Sequence, residues 1–200
     1  MKGFVTKRLL VALLLAFAPI ASAATPLPSD SVLQQPGTFT DQSGRDFRLA
    51  DRRGHVQLVG MFYTSCTYTC PLTIDSGLGI QHALTSSERN RLDILFVSFD
   101  PQRDTPAVLS ALAKQRKLDL SQWTLARADA DVVRKLAALL GVRYRRLVDG
   151  DFNHTSGLIL LDADGRIIAK TDKLGSIPDA GFLQDVRTAL QQDRGQNRER

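Results

Sequence analysis

A chain of 200 residues, 43% hydrophobic and 24% charged, has ordinary globular composition and enough apolar residues for one buried core, with one domain as the default at this length. The formal net charge of +5 overstates its basicity: Lys2, Lys7 and Arg8 precede the first acid, Asp30, so without residues 1–23 only 23 of the 26 bases face the 21 acids. The remaining bases are scattered, with no stripe interleaved with aromatics, which excludes a nucleic-acid-binding surface of the usual kind.

The first element is a targeting segment. Lys2 to Arg8 form a basic start, Leu9 to Ile20 an apolar run, and Ala21-Ser22-Ala23 an A-x-A cleavage site. The apolar run is short of the ~20 residues of a membrane span. Two readings stand, a cleaved signal peptide and an uncleaved anchor that would be the chain's only attachment to a membrane. Either delivers the rest of the chain across a membrane, to the periplasm or to the periplasmic face of the inner membrane. Residues 24–36, rich in Pro and Ser, read as a linker to a domain over residues 37–191.

That domain opens on the alternating stretch Thr38 to Leu49, whose Gln42-Ser43-Gly44 signals a hairpin. Val56 to Tyr63 is an unbroken apolar run, hence a buried strand. A helix follows with Pro71 in its first turn, ending near Thr85. Leu92 to Phe99 is a second buried strand. Thr105-Pro106 reads as an N-cap and first helical residue of a helix to about Lys117. Trp123 to Ala126 forms a short strand. Asp131 to Leu140 is a helix closed by Gly141, and Val142 to Val148 is a further strand. Thr155 to Leu161 and Arg166 to Thr171 are strands joined by the turn Asp162-Ala163-Asp164-Gly165. A helix from Pro178 to about Gln191 leaves a polar tail, residues 192–200. Strands alternating with helices imply parallel pairing through right-handed crossovers. With the closing hairpin and helix, the result is an α/β, thioredoxin-like fold around a mixed central sheet.

The chemistry sits where the first buried strand gives way to a helix, at Tyr63-Thr64-Ser65-Cys66-Thr67-Tyr68-Thr69-Cys70-Pro71. Ligands of open α/β sheets bind beyond the carboxyl ends of the strands. A cysteine at a helix start gains thiolate character, and thiolate is both nucleophile and metal ligand. Cys66 and Cys70 are the only cysteines. A disulfide between them would close too short a loop to stabilise the chain much, so the spacing points to chemistry: a reversible disulfide, or a clamp on one ion, each excluding the other. Two thiolates suit copper, above all with an imidazole, whereas a structural zinc site wants four protein ligands. Of the three histidines, His55 begins the first buried strand, at the end away from the cysteines, and His82 lies on the following helix as a surface residue. His154 reaches the cysteines if the strand it enters runs antiparallel to the central ones.

Three segments resemble the SCO/SenC family in order: Cys66-x-x-x-Cys70-Pro71; Asp100-Pro101-Gln102-Arg103-Asp104-Thr105; and Asn153-His154-Thr155-Ser156, followed by Leu161-Asp162-Ala163-Asp164-Gly165. The resemblance covers roughly residues 37 to 190. It implies a thioredoxin fold that binds copper, as Cu(I), Cu(II) or both, through Cys66, Cys70 and His154. It also implies a redox-active Cys66–Cys70 disulfide and a part in maturing the binuclear copper site of cytochrome c oxidase. The implied partners are that oxidase's copper-bearing subunit, or another copper protein, and a thiol reductant. Asp100 is balanced between orienting a ligand and an ordinary Asp-Pro turn. Arg103 and Asp104 read as a solvated pair and, with Thr105, as helix capping, and Tyr68 as an exposed loop aromatic. Thr67 departs from the family, which often has proline there; the change removes no ligand.

The leading function is thus a metallochaperone, a carrier more than a catalyst. The alternatives are a thiol–disulfide oxidoreductase in which Cys66 attacks and Cys70 resolves, and a redox or copper sensor. A peroxiredoxin-type peroxidase is set aside, because Tyr63 stands where that family has threonine.

Overall fold

The structure, a computed structural model, describes residues 26–196. The targeting segment expected over residues 1–23 lies outside the described residues. Within them the strands are β1 (Phe39–Asp41), β2 (Asp46–Phe47), β3 (Val56–Phe62), β4 (Leu92–Ser98), β5 (Trp123–Ala128), β6 (Tyr144–Arg146), β7 (Phe152–His154), β8 (Leu158–Leu161) and β9 (Ile167–Thr171). The helices are α1 (Thr69–Ala83), α2 (Ser86–Arg89), α3 (Pro106–Gln115), α4 (Ala130–Leu140) and α5 (Ala180–Gln196).

Seven strands form one mixed sheet in the order β2-β1-β5-β4-β3-β8-β9. β3, β4 and β5 are parallel, while β8 runs antiparallel to β3, with Gly60 opposite Leu158. β3 is buried along its whole length, as expected of a central parallel strand covered on both faces. Gly60 is the one place in β3 where a side chain could not fit, since a Cβ there would lie 2.7 Å from the Phe96 ring. α1 and α5 pack on β3, α3 on β5 and β1, and α4 on β5. Trp123 anchors this packing, fully buried, with its indole N–H donating to Gln81 of α1 at 2.9 Å.

The turn residues do what their types dictate. Asp41 Oδ1 accepts from the backbone N–H groups of Ser43 and Arg45, closing the β1–β2 hairpin. Thr105 caps α3 ahead of Pro106, and Gly141 ends α4 in the left-handed conformation, φ 75°.

Three boundaries differ from the sequence reading. Val32 and Leu33, placed by composition in a linker, are buried. They pack where Gly165 turns the β8–β9 hairpin, held by Val32 N–H to Gly165 O at 2.9 Å and the Ser31 hydroxyl to Asp164 O at 2.6 Å. α5 continues to Gln196, through the buried Asp193, where a frayed tail from residue 192 was expected. Finally, β6 pairs antiparallel with β7 in a separate two-stranded sheet. His154 therefore ends a strand of its own, set off from β8 by Thr155-Ser156-Gly157.

Candidate metal centre

Parallel β3 and β4 both end beside the start of antiparallel β8. The topology thus gathers three segments at one end of the sheet: Tyr63–Tyr68 after β3, Phe99–Thr105 after β4, and the end of β7 with His154. The sulfur atoms of Cys66 and Cys70 and a ring nitrogen of His154 all lie within 4.8 Å of one another, and this is the one such His/Cys/Asp/Glu group found among the described residues. His55 sits apart, 3.9 Å from Asp93 at the opposite end of β3 and β4, and His82 is an exposed residue of α1.

Each donor has a defined setting. Cys66 lies half-buried in the loop, and Cys70, 2% exposed, is the second residue of α1. The thiols are free, and the backbone N–H of Cys70 donates to Cys66 Sγ at 3.4 Å. His154 Nε2 stands 3.9 Å from Cys70 Sγ. Its other nitrogen, Nδ1, lies 3.2 Å from the Thr155 carbonyl and 3.0 Å from the Ser156 hydroxyl. A carbonyl can only accept, so the network assigns the proton to Nδ1 and leaves the Nε2 lone pair facing the sulfurs. This is the tautomer a metal-binding imidazole needs, with the second nitrogen engaged by the protein.

The imidazole is also wedged. Its centroid lies 4.9 Å from Phe99 and 5.7 Å from Tyr63, the latter edge-on at 88°. The Tyr63 hydroxyl donates to Asp151, and Arg103 donates to the Gly150 carbonyl at 2.6 Å. Both contacts tie the β6–β7 hairpin, and with it His154, to the ends of β3 and β4.

One sequence assignment, that of Asp104, changes here. Asp100 closes its turn, its carbonyl accepting from the N–H groups of Arg103 and Asp104, and it is 3% exposed with its carboxylate accepting from Arg103. Its structural link to the site runs through Arg103 and Gly150. Asp104 is neither solvated nor a cap. It is wholly buried and accepts from the Thr64 backbone N–H at 3.0 Å and from the hydroxyls of Thr64 and Ser98. It thereby pins the loop two residues ahead of Cys66. Tyr63 and Thr69 both touch His154, contacts that no local signal in the sequence marks. Tyr68 is 78% exposed, as a loop aromatic should be.

The two thiols differ electrostatically. Burial alone would raise the Cys66 thiol, but N–H groups of Cys70 and Tyr68 and the Thr69 hydroxyl outweigh it and bring its pKa down from 9.0 to about 6. Burial pushes the Cys70 thiol far up, and the neighbouring Cys66 and Asp104 add to the shift. Below about pH 6 Cys66 is a thiol; above it, a thiolate. Iodoacetamide should therefore modify Cys66 first, at a rate that rises through pH 6 and levels near neutrality, with Cys70 unreactive over that range. Mass spectrometry of the alkylated peptides checks this. A rate still climbing at pH 9 would show that the N–H cradle does not act as described.

A soft dithiol with one imidazole, its second nitrogen held by the protein, on the carboxyl end of a thioredoxin-like sheet defines a class: thioredoxin-like proteins with a thiolate–imidazole metal and redox centre. The SCO1/SenC family model matches residues 26–191, and the chain belongs to that family. The SCO2-like protein RP587 of Rickettsia prowazekii is 30% identical over 139 residues, 66% of this chain, and the chain spans 65% of that relative's length. Bradyrhizobium japonicum ScoI, solved with copper bound, superposes with a TM-score of 0.62 at 23% identity, over 77% of this chain and 97% of that one. BsSco, described with a disulfide switch as a member of the Sco family of cytochrome c oxidase assembly proteins, gives 0.65 at 22% identity, over 78% and 91%. At these identities the structural matches speak to the fold.

Proposed function

We propose that this chain is an exported copper carrier that holds one copper ion between Cys66, Cys70 and His154 and passes it to the binuclear copper site of cytochrome c oxidase. The observation that carries the reading is the convergence, from residues up to 88 apart in sequence, of two sulfurs and an imidazole lone pair within 4.8 Å. The donor set fits copper: soft sulfur with imidazole suits it, and at 3.9 Å Nε2 needs little movement to share an ion with Cys70.

The carrier works by ligand exchange, with the ion as cargo. Cys66 is readily available as thiolate, and Cys70 gives up its proton when the ion binds, because only the thiolate ligates. Oxidation to a Cys66–Cys70 disulfide, with sulfurs at about 2.05 Å, would remove both sulfur donors, so the carrier operates reduced and requires a thiol reductant. Export to the periplasm rests on residues 1–23 and on the family. No helix among the described residues is long and apolar enough to cross a membrane.

One observation favours a second reading, thiol–disulfide exchange with the client. A low-pKa thiol beside a buried high-pKa thiol is the arrangement of an attacking and a resolving cysteine. Transfer separates the two. The copper-loaded protein is mixed with the metal-free, reduced soluble domain of an oxidase copper subunit. The expected result is appearance of the binuclear copper signal in the acceptor with loss of copper from the donor. If copper stays on the donor, and the metal-free reduced protein mixed separately with an oxidised acceptor reduces the acceptor's disulfide as Cys66 and Cys70 form one, the carrier reading fails and the reductase reading takes its place.

A further inference from the structure

Thr69 is the first residue of α1, one place past the N-cap position whose side chain ordinarily satisfies the helix's first N–H groups. The N-cap residue is Tyr68, whose side chain makes no capping bond, and Thr69 Oγ1 turns into the donor cluster. It lies 3.6 Å from Cys66 Sγ and 3.3 Å from His154 Nε2. The backbone of the same residue is fixed by the Thr73 hydroxyl, which donates to the Thr69 carbonyl at 3.0 Å.

These spacings are those of atoms sharing an ion. Donors about 2.0–2.3 Å from a metal and roughly at right to tetrahedral angles stand about 3–3.7 Å apart. Both Thr69 distances fall in that range. In the metal-free protein the Nε2 lone pair and the Cys66 sulfur are both acceptors, so the one Thr69 hydroxyl proton points at one or the other of two atoms the ion would take. Rotation about one bond turns an oxygen lone pair to the same point.

We infer that Thr69 Oγ1 is a fourth donor to the bound ion, completing a set of two sulfurs, one nitrogen and one oxygen. The inference rests on the copper reading above. Its consequence is selectivity between oxidation states: sulfur and imidazole alone suit Cu(I), whereas an added hard oxygen favours the tetragonal preference of Cu(II). Thr69 thus tunes which oxidation state the carrier retains.

The test compares wild type, Thr69→Val and Thr69→Ser, loaded separately with Cu(I) and Cu(II) against chelators. Val keeps the shape and removes the oxygen; Ser keeps the oxygen. Thr69→Val should weaken Cu(II) binding about tenfold, leave Cu(I) binding within about twofold, and change the Cu(II) hyperfine splitting in electron paramagnetic resonance. Thr69→Ser should retain the wild-type spectrum. In the metal-free protein, Thr69→Val should move the His154 Nε2 nitrogen resonance through loss of the hydroxyl bond. A Cu(II) spectrum and affinity in Thr69→Val identical to wild type would overturn the fourth donor and leave the copper site standing. Wild type binding no more copper than the Cys66→Ser/Cys70→Ser variant would overturn both.

Discussion

His154→Ala should lower copper affinity on the order of 100-fold while leaving the fold intact. The magnitude follows from the share of one donor. A four-ligand structural metal site gains roughly 10–16 kcal/mol, so one ligand carries about 3 kcal/mol, or about two powers of ten. The fold should tolerate the change because His154 is only half-buried and ends the short strand β7, outside the seven-stranded sheet. Competition against a chelator measures the affinity, and circular dichroism checks the fold. An affinity within about threefold of wild type, less than 1 kcal/mol, would remove His154 from the site. The cysteines would then stand alone, as a dithiol that Nε2 merely neighbours.

Asp104→Ala should destabilise the protein by about 3 kcal/mol and loosen the site with it. The carboxylate is the common acceptor for the Thr64 N–H, the Thr64 hydroxyl and the Ser98 hydroxyl. Its removal leaves the buried Ser98 hydroxyl and the part-buried Thr64 N–H and hydroxyl without their acceptor and opens a cavity at the junction of β3, β4 and α3. A buried donor left unpaired costs about 1–3 kcal/mol, and partial relaxation keeps the total below the full sum. Since Thr64 precedes Cys66 by only two residues, the cysteine loop loses its tether and copper affinity falls too. Urea unfolding at constant m-value reads the stability. A loss under about 1 kcal/mol, the effect of an ordinary surface change, would mean that the three donors find other partners.

The parts of this structure that the sequence makes legible are those governed by local rules. Val56–Phe62 and Leu92–Ser98 are apolar without alternation because both faces are covered, and a run of that kind reads as a buried strand before any partner is known. Thr105-Pro106 and Gly141 mark helix ends because their backbone requirements are met within a turn. The cysteine motif is legible for the same reason, with its donors only a turn apart.

What the sequence hides is set by distant contacts. Asp104 looks like a capping residue next to Thr105, and only the approach of Thr64, 40 residues earlier, makes it a buried tether. Thr69 looks like filler between Tyr68 and Cys70 until His154 arrives from 85 residues away. β7 is three residues of mixed polarity, too short for a period to show, and it exists through its pairing with β6 and the packing of Phe152 on Tyr63 and Phe99. Ser31–Leu33 were lost among prolines and serines because their burial depends on the Gly165 turn, far along the chain.

The most direct test of the central claim is equilibrium copper binding by the reduced domain without residues 1–23, under anaerobic conditions and against a competing chelator. One ion per chain is expected, held tightly, and lost both in Cys66→Ser/Cys70→Ser and on oxidation of the two thiols. Binding no tighter than that of a simple dithiol, or indifferent to the two serine substitutions, would contradict it.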